Sequence, residues 1–232
     1  MNSKLKSLLI YIGNSIRINF DKSYIASLEE AYNFTARKFG HKIKLSDVHF
    51  PIGQYTLDDF KKVVPFIADY VKRQGEFNIA LRCNIVCMDI HDKLKSKYNI
   101  DSIVTSGDFW LSGRKIWSTT GTQLTTQFEH TIPTMSHHVW LTVGEYIIDP
   151  TIMMTIRQRI PNLFSDAVYD ETHMIFLCKY SGRAMYINNI LFEYKPRLVG
   201  QEFYKYTHYG IPVFSILSDY RQVIRNEREE EI

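Results

Sequence analysis

His138-Val139-Trp140-Leu141-Thr142-Val143-Gly144-Glu145-Tyr146-Ile147-Ile148-Asp149-Pro150-Thr151 is the stretch that decides the fold. Two alternating runs flank Gly144-Glu145. A glycine at the first turn position accepts the positive φ of a type II′ turn, so the segment reads as a tight β-hairpin. A two-residue turn fixes the register: Val143 opposes Tyr146, Trp140 opposes Asp149, and His138 falls opposite Thr151. By parity Val139, Leu141, Val143, Tyr146 and Ile148 share one face, the expected core side; His138, Trp140, Thr142, Ile147 and Asp149 share the other. His138 and Asp149 are then diagonal cross-strand neighbours, roughly 7–8 Å apart in backbone and within reach of a carboxylate-to-imidazole hydrogen bond. Such a pair is the base-and-orienter half of a catalytic triad, because the carboxylate fixes the imidazole tautomer and stabilises its charged form. His137 points the other way.

Upstream of the hairpin the apolar period is helical. Ser27-Leu28-Glu29-Glu30 has the spacing of a capping box and Gly40 can close the element, which predicts a helix over 28–39. Thr56-Leu57-Asp58-Asp59 opens a second helix ending before Gly75, with Pro65 implying a kink or a break. Val86, Ile90 and Leu94 define a third, beginning close to Cys83 and ending near Tyr98-Asn99. From there the period is two, through 103–104, 108–111, 139–143, 146–148, 174–178 and 185–192. Helices first and antiparallel strands second indicate an α+β fold with helices on one side of a sheet. Residues 213–225 have the pattern of a closing helix and 227–231 that of a solvated end. No repeat or linker divides the chain, so one domain over 1–232 is expected.

With 45% hydrophobic, 14% aromatic and 23% charged residues, the composition excludes a disordered chain. A net charge of +3 is too small to indicate nucleic acid or an anionic membrane as partner. The apolar stretch 8–12 is interrupted by Gly13 and Asn14 and is too short for a signal-peptide core or a membrane span. A soluble, cytoplasmic protein is therefore expected. Three cysteines cannot form a disulfide framework, and Cys83 and Cys87 are four apart, as on one helical face, so a reducing compartment and a free thiol are expected. A thiol at a helix amino terminus beside an imidazolium is favoured as thiolate, which makes Cys83 the candidate nucleophile. Cys87, among Val86, Met88 and Ile90, reads as core.

Cys83 heading a helix, Gly107 after a short strand, His138-x-Trp140 and Asp149-Pro150-Thr151 together resemble the transglutaminase-like superfamily, a branch of the papain-like thiol fold, over roughly residues 75–155. Asn99-Ile100 stands where that family often has a glycine, and Arg82 and Asn84 replace the small residues usual beside its nucleophile. The resemblance implies a nucleophile helix packed on an antiparallel sheet, with additions at both ends of this core. It also implies acyl transfer through a thioester, without cofactor, on a protein or peptide amide: Cys83 attacks, His138 carries the proton and Asp149 holds His138. Water as acceptor gives a protease, amidase or deamidase, and an amine gives a transglutaminase. Gln74 and Asn78 are candidate oxyanion donors beside the Cys83 amide, and Trp140 and Trp117 candidate walls of a substrate groove. Residues 118–126 read as a flap over the site or as a solvated loop.

The alternative is a catalytically inactive transglutaminase-like binding module. Cys83, His137, His138 and Asp149 are acceptable zinc ligands by type, but adjacent histidines on a strand face opposite sides and no paired ligand spacing appears, so no metal is expected. Lys and Arg are dispersed without an aromatic stacking motif, so nucleic acid is not an expected partner.

Overall fold

The computed structural model describes residues 23–49, 55–75, 79–80, 82–130, 137–159, 176–179, 184–187 and 190–207. Its first helix, α1 (Tyr24–Phe39), is started by Ser23, whose hydroxyl accepts from the Ala26 amide at 3.2 Å. That cap lies four residues before the expected capping box, and Ser27 is buried inside the helix with its hydroxyl unbonded. The earlier start puts Tyr24, Leu28 and Ala31 on one buried face. Helix α2 (Leu57–Gln74) opens on the predicted capping box, the Thr56 amide donating to Asp59 Oδ2 at 2.6 Å. It runs through Pro65 without a break. Val63, Val64, Ile67 and Val71 are all buried around that position, and packing outweighs the one hydrogen bond that proline forgoes. Helix α3 (Cys83–Tyr98) has the predicted limits and ends on Asn99 at φ 52°, whose amide donates to the Leu94 and Lys95 carbonyls.

The sheet comprises β1 (Ile103–Leu111), β2 (Arg114–Trp117), β3 (His138–Val143), β4 (Tyr146–Asp149), β5 (Phe176–Lys179), β6 (Ala184–Ile187) and β7 (Ile190–Val199). All pairings are antiparallel, in the order β5-β4-β3-β1-β7-β6, with β2 also on β1. The decisive hairpin has the predicted register, Val143 opposite Tyr146 and Leu141 opposite Ile148. Gly144 is at φ 56° and Glu145 is not in the positive region, which is the type II′ arrangement. The segments 103–104 and 108–111 are one strand, bulged against β7 after Ser106. The run 185–192 is the meeting of two strands, β6 and β7. Helices α4 (Gly121–His130), α5 (Ile152–Arg159) and α6 (Glu202–Thr207) complete the described elements.

The two faces of the hairpin divide as parity predicts, yet both are buried. Val139, Leu141, Val143, Tyr146 and Ile148 pack with Phe60, Ile67, Val86 and Ile90 of α2 and α3. Trp140 and Ile147 pack with Tyr24, Leu28 and Ala31 of α1. Helices therefore cover both sides of the sheet, which corrects the one-sided expectation. The cue was present in Trp140 and Ile147, apolar residues on the face opposite the expected core side. Four polar side chains between α1 and the sheet are linked in series. The Trp140 indole donates to Tyr24 Oη (2.7 Å), that hydroxyl meets Thr142 Oγ1 (2.6 Å), and Thr142 meets Thr105 (2.8 Å), whose hydroxyl donates to the Ile103 carbonyl. No described helix is long and apolar enough to cross a membrane. The stretches 8–12, 174–175, 213–225 and 227–231 lie outside the described residues.

Candidate active site

β1 has two partners along one edge. Residues 103–107 pair with β3 and residues 109–111 pair with β2, so Gly107 faces His138 while Phe109 faces Trp117. His138, the first residue of β3, and Trp117, the last of β2, meet at the notch between those strands. Their rings stack at 4.9 Å between centroids and 19° between planes. Cys83, the first residue of α3, approaches the same place from the other side of the sheet, near enough for its thiol to help hold the His138 imidazole up.

His138 Nε2 donates to Asp149 Oδ2 at 2.5 Å, which leaves Nδ1 as the ring nitrogen for the thiol. Burial pushes the His138 imidazole down. The charge and hydrogen bond of Asp149, with the Cys83 contact, outweigh that effect and hold it up at about 10. At neutral pH His138 is therefore an imidazolium paired with a buried carboxylate. Asp149 is buried and fully engaged: Tyr194 Oη donates to Oδ2 (3.0 Å), and Oδ1 accepts from the Thr151 amide (3.0 Å), the Thr151 hydroxyl (3.1 Å) and the Ile152 amide (2.9 Å). Those two amides are the free donors at the start of α5, so Asp149 caps that helix while it holds the histidine.

Cys87, one turn into α3, is buried and its thiol donates to the Val139 carbonyl at 3.5 Å. Burial pushes it up, and the charges of Asp149 and Cys83 push it further. It is a core thiol, distinct in environment from Cys83. Cys178 lies in β5, and its side chain is not among those described. His137 turns to the opposite side from His138, its Nε2 bonded to Tyr204 Oη (2.8 Å) while Nδ1 has no partner. Burial, helped by the charge of His138, drives it down to about 4.

Of the other residues selected from sequence, Trp117 is half-buried at the notch, but Trp140 is fully buried behind His138, with its indole committed to Tyr24. Trp140 supports the site from below and lines no groove. Gln74 ends α2, and Asn78 lies outside the described residues. The expected flap or loop at 118–126 is largely helix α4. Its start is a reciprocal cap that sequence reasoning passed over in Thr120-Gly121-Thr122-Gln123: the Thr120 amide donates to Gln123 Oε1 (2.8 Å) and the Gln123 amide to Thr120 Oγ1 (3.2 Å). Tyr194, Phe109 and the pair Asp108–Arg197 were also missed; each comes from a strand whose pairing is nonlocal.

Among the described residues no group of three or more His, Cys, Asp or Glu side chains is arranged to hold a metal. A cavity of about 430 Å³ is lined by Glu29, Tyr32, Asn33, Val48 and His49, and not by Cys83, His138 or Asp149. Comparison with protein-family models, with curated proteins and with solved structures found no significant match.

Proposed function

We propose that this protein is a cysteine-dependent enzyme acting on amide bonds, by acyl transfer or hydrolysis, with Cys83 as nucleophile, His138 as acid and base, and Asp149 as orienter. One observation carries the reading: His138 Nε2 is fixed on the buried Asp149 carboxylate at 2.5 Å, beside Cys83 at the start of a helix. In this reaction Cys83 Sγ, as the thiolate of a thiolate–imidazolium pair with His138, attacks the amide carbonyl carbon, and the charge on the carbonyl oxygen falls beside the backbone amides at the start of α3. His138 gives its proton to the nitrogen as the C–N bond breaks, leaving a thioester and a neutral imidazole. Water or an amine then attacks the thioester, delivers a proton to His138, and releases Cys83. The transglutaminase-like and papain-like assignment belongs to this proposal, as do the protein or peptide substrate and a cytoplasmic setting.

A second reading, a non-enzymatic binding module of the same kind, is favoured by the burial of Cys83, which keeps 7% of its surface exposed. Labelling with iodoacetamide at pH 6–7, followed by peptide mass mapping, separates the two. Cys83 labels faster than Cys87 and Cys178, and His138→Ala removes the difference; equal slow labelling of all three would falsify the activated thiol. Trapping of an acyl group on Cys83 by an electrophilic peptide amide probe then distinguishes an enzyme from a module.

A further inference from the structure

β1 and β7 step out of register beside the notch. Ser106 pairs with Leu198 and Gly107 with Pro196, which leaves Arg197 as the extra residue of a bulge. The backbones close so tightly there that a Cβ on Gly107 would lie 2.0 Å from the Lys195 carbonyl oxygen. A bulge re-aims its side chain. Arg197 Nε (2.9 Å) and Nη2 (2.8 Å) both donate to Oδ2 of Asp108, a fully buried carboxylate. The other oxygen, Oδ1, accepts from the Thr119 amide at 2.8 Å. Thr119 lies two residues after Trp117, where the chain leaves β2 for α4. One carboxylate thus ties the exit of β2 to β1 and β7, and that exit carries the indole stacked on His138.

We infer that Asp108 and Arg197 are positioning residues of the thiol site: through Thr119 they hold Trp117 over the His138 ring. An indole face above an imidazolium attracts its charge, so the latch favours the charged imidazole beside Cys83. This consequence rests on the proposed thiol chemistry, but the placement of Trp117 does not.

The test follows the His138 ring-proton resonance by NMR in the full chain, beside the rate of iodoacetamide alkylation of Cys83 across pH 5–9. Trp117→Ala, which removes the stacked ring, sets the reference shift. Arg197→Gln moves the His138 resonance in the same direction, lowers its midpoint, and slows alkylation at neutral pH about tenfold, or about 1.4 kcal/mol in barrier. Adding Trp117→Ala to Arg197→Gln changes little more, since both act on one contact. Arg197→Lys keeps the charge without the two-pronged grip and gives an intermediate shift; it also serves if Arg197→Gln does not fold. A folded Arg197→Gln or Arg197→Lys variant with the His138 resonance at its wild-type position overturns the inference, as do fully additive effects. If Cys83 proves unreactive in the wild-type chain, the proposed chemistry fails, and the His138 resonance still decides for or against the latch.

Discussion

Asp149→Asn isolates the electrostatic part of the site with little change of shape. The new amide oxygen can take the place of Oδ1 and go on accepting from Thr151 and Ile152, so the start of α5 is kept. The amide nitrogen then replaces Oδ2 and donates to His138 Nε2, which forces the imidazole proton onto Nδ1 and removes the carboxylate charge. The effect on stability follows from the raised imidazole. Unfolded, His138 titrates near 6.5; folded, near 10. Its stabilisation is fully present below pH 6.5 and is lost as pH rises towards 10, because over that range the folded chain binds one proton more than the unfolded chain. The slope is about 1.4 kcal/mol per pH unit, hence about 2 kcal/mol between pH 7 and 8.5 and about 5 kcal/mol over the full window. The interval 7–8.5 is the informative one, since the raised Cys87 thiol and the raised Tyr24 and Tyr204 phenols add the same sign of slope only above pH 8.5–9. Urea unfolding at half-unit steps of pH gives a falling wild-type curve and a nearly flat Asp149→Asn curve. A wild-type protein with constant stability from pH 7 to 8.5, or a variant that keeps the wild-type slope, refutes the ion pair.

On the acid side the sign reverses. His137 is held down to about 4 by burial, so its contribution is complete above pH 6.5 and lost as pH falls towards 4; stability rises from pH 5 to 6.5 in the wild type, and His137→Gln makes that limb shallower in the same urea series, the part due to His91, also lowered by burial, remaining. Gly107→Ala places a methyl against the Lys195 carbonyl oxygen, a backbone atom that cannot swing aside, and costs at least about 3 kcal/mol in thermal or urea unfolding; a wild-type midpoint would show that the bulge can open freely.

What was legible in the sequence was local. The hairpin register came from Gly144, because a turn of fixed length and hand sets every pair beyond it, and both limits of α3 came from the apolar spacing of Val86, Ile90 and Leu94. The α+β class followed. Other elements failed for identifiable reasons. Helix α4 was hidden by threonines and a glycine that resemble loop composition, although its Thr-x-x-Gln cap was readable. The second face of the sheet was misjudged because Tyr24 and Thr142 satisfy each other across 118 residues, and no local pattern announces such a partner. At the site, Cys83, His138 and Asp149 were chosen from sequence and the fold brings them together. Trp140 was misplaced by one layer, and Arg197 was invisible because its role depends on a bulge.

The order in which the site is built follows from Asp149. Three of its five hydrogen bonds go to Oδ1 from Thr151 and Ile152, and a fourth comes from Tyr194 of β7. The carboxylate plane is therefore set by the start of α5 and by the neighbouring strand, independently of the histidine. His138 docks on an oxygen already fixed in place, so no reorganisation is needed when the imidazole gains or loses its proton. The same arrangement explains why the burial of Asp149 is compatible with a charged histidine: every lone pair that the carboxylate loses from water is answered by a protein donor. It also separates two classes of variant. Changes at Tyr194 leave Oδ1 and the α5 cap intact and act only on the oxygen that faces His138; Tyr194→Phe removes a competing donor from Oδ2 and should raise the His138 midpoint while sparing most of the fold. Changes that remove both oxygens, such as Asp149→Ala, uncap α5 as well and lose stability at every pH.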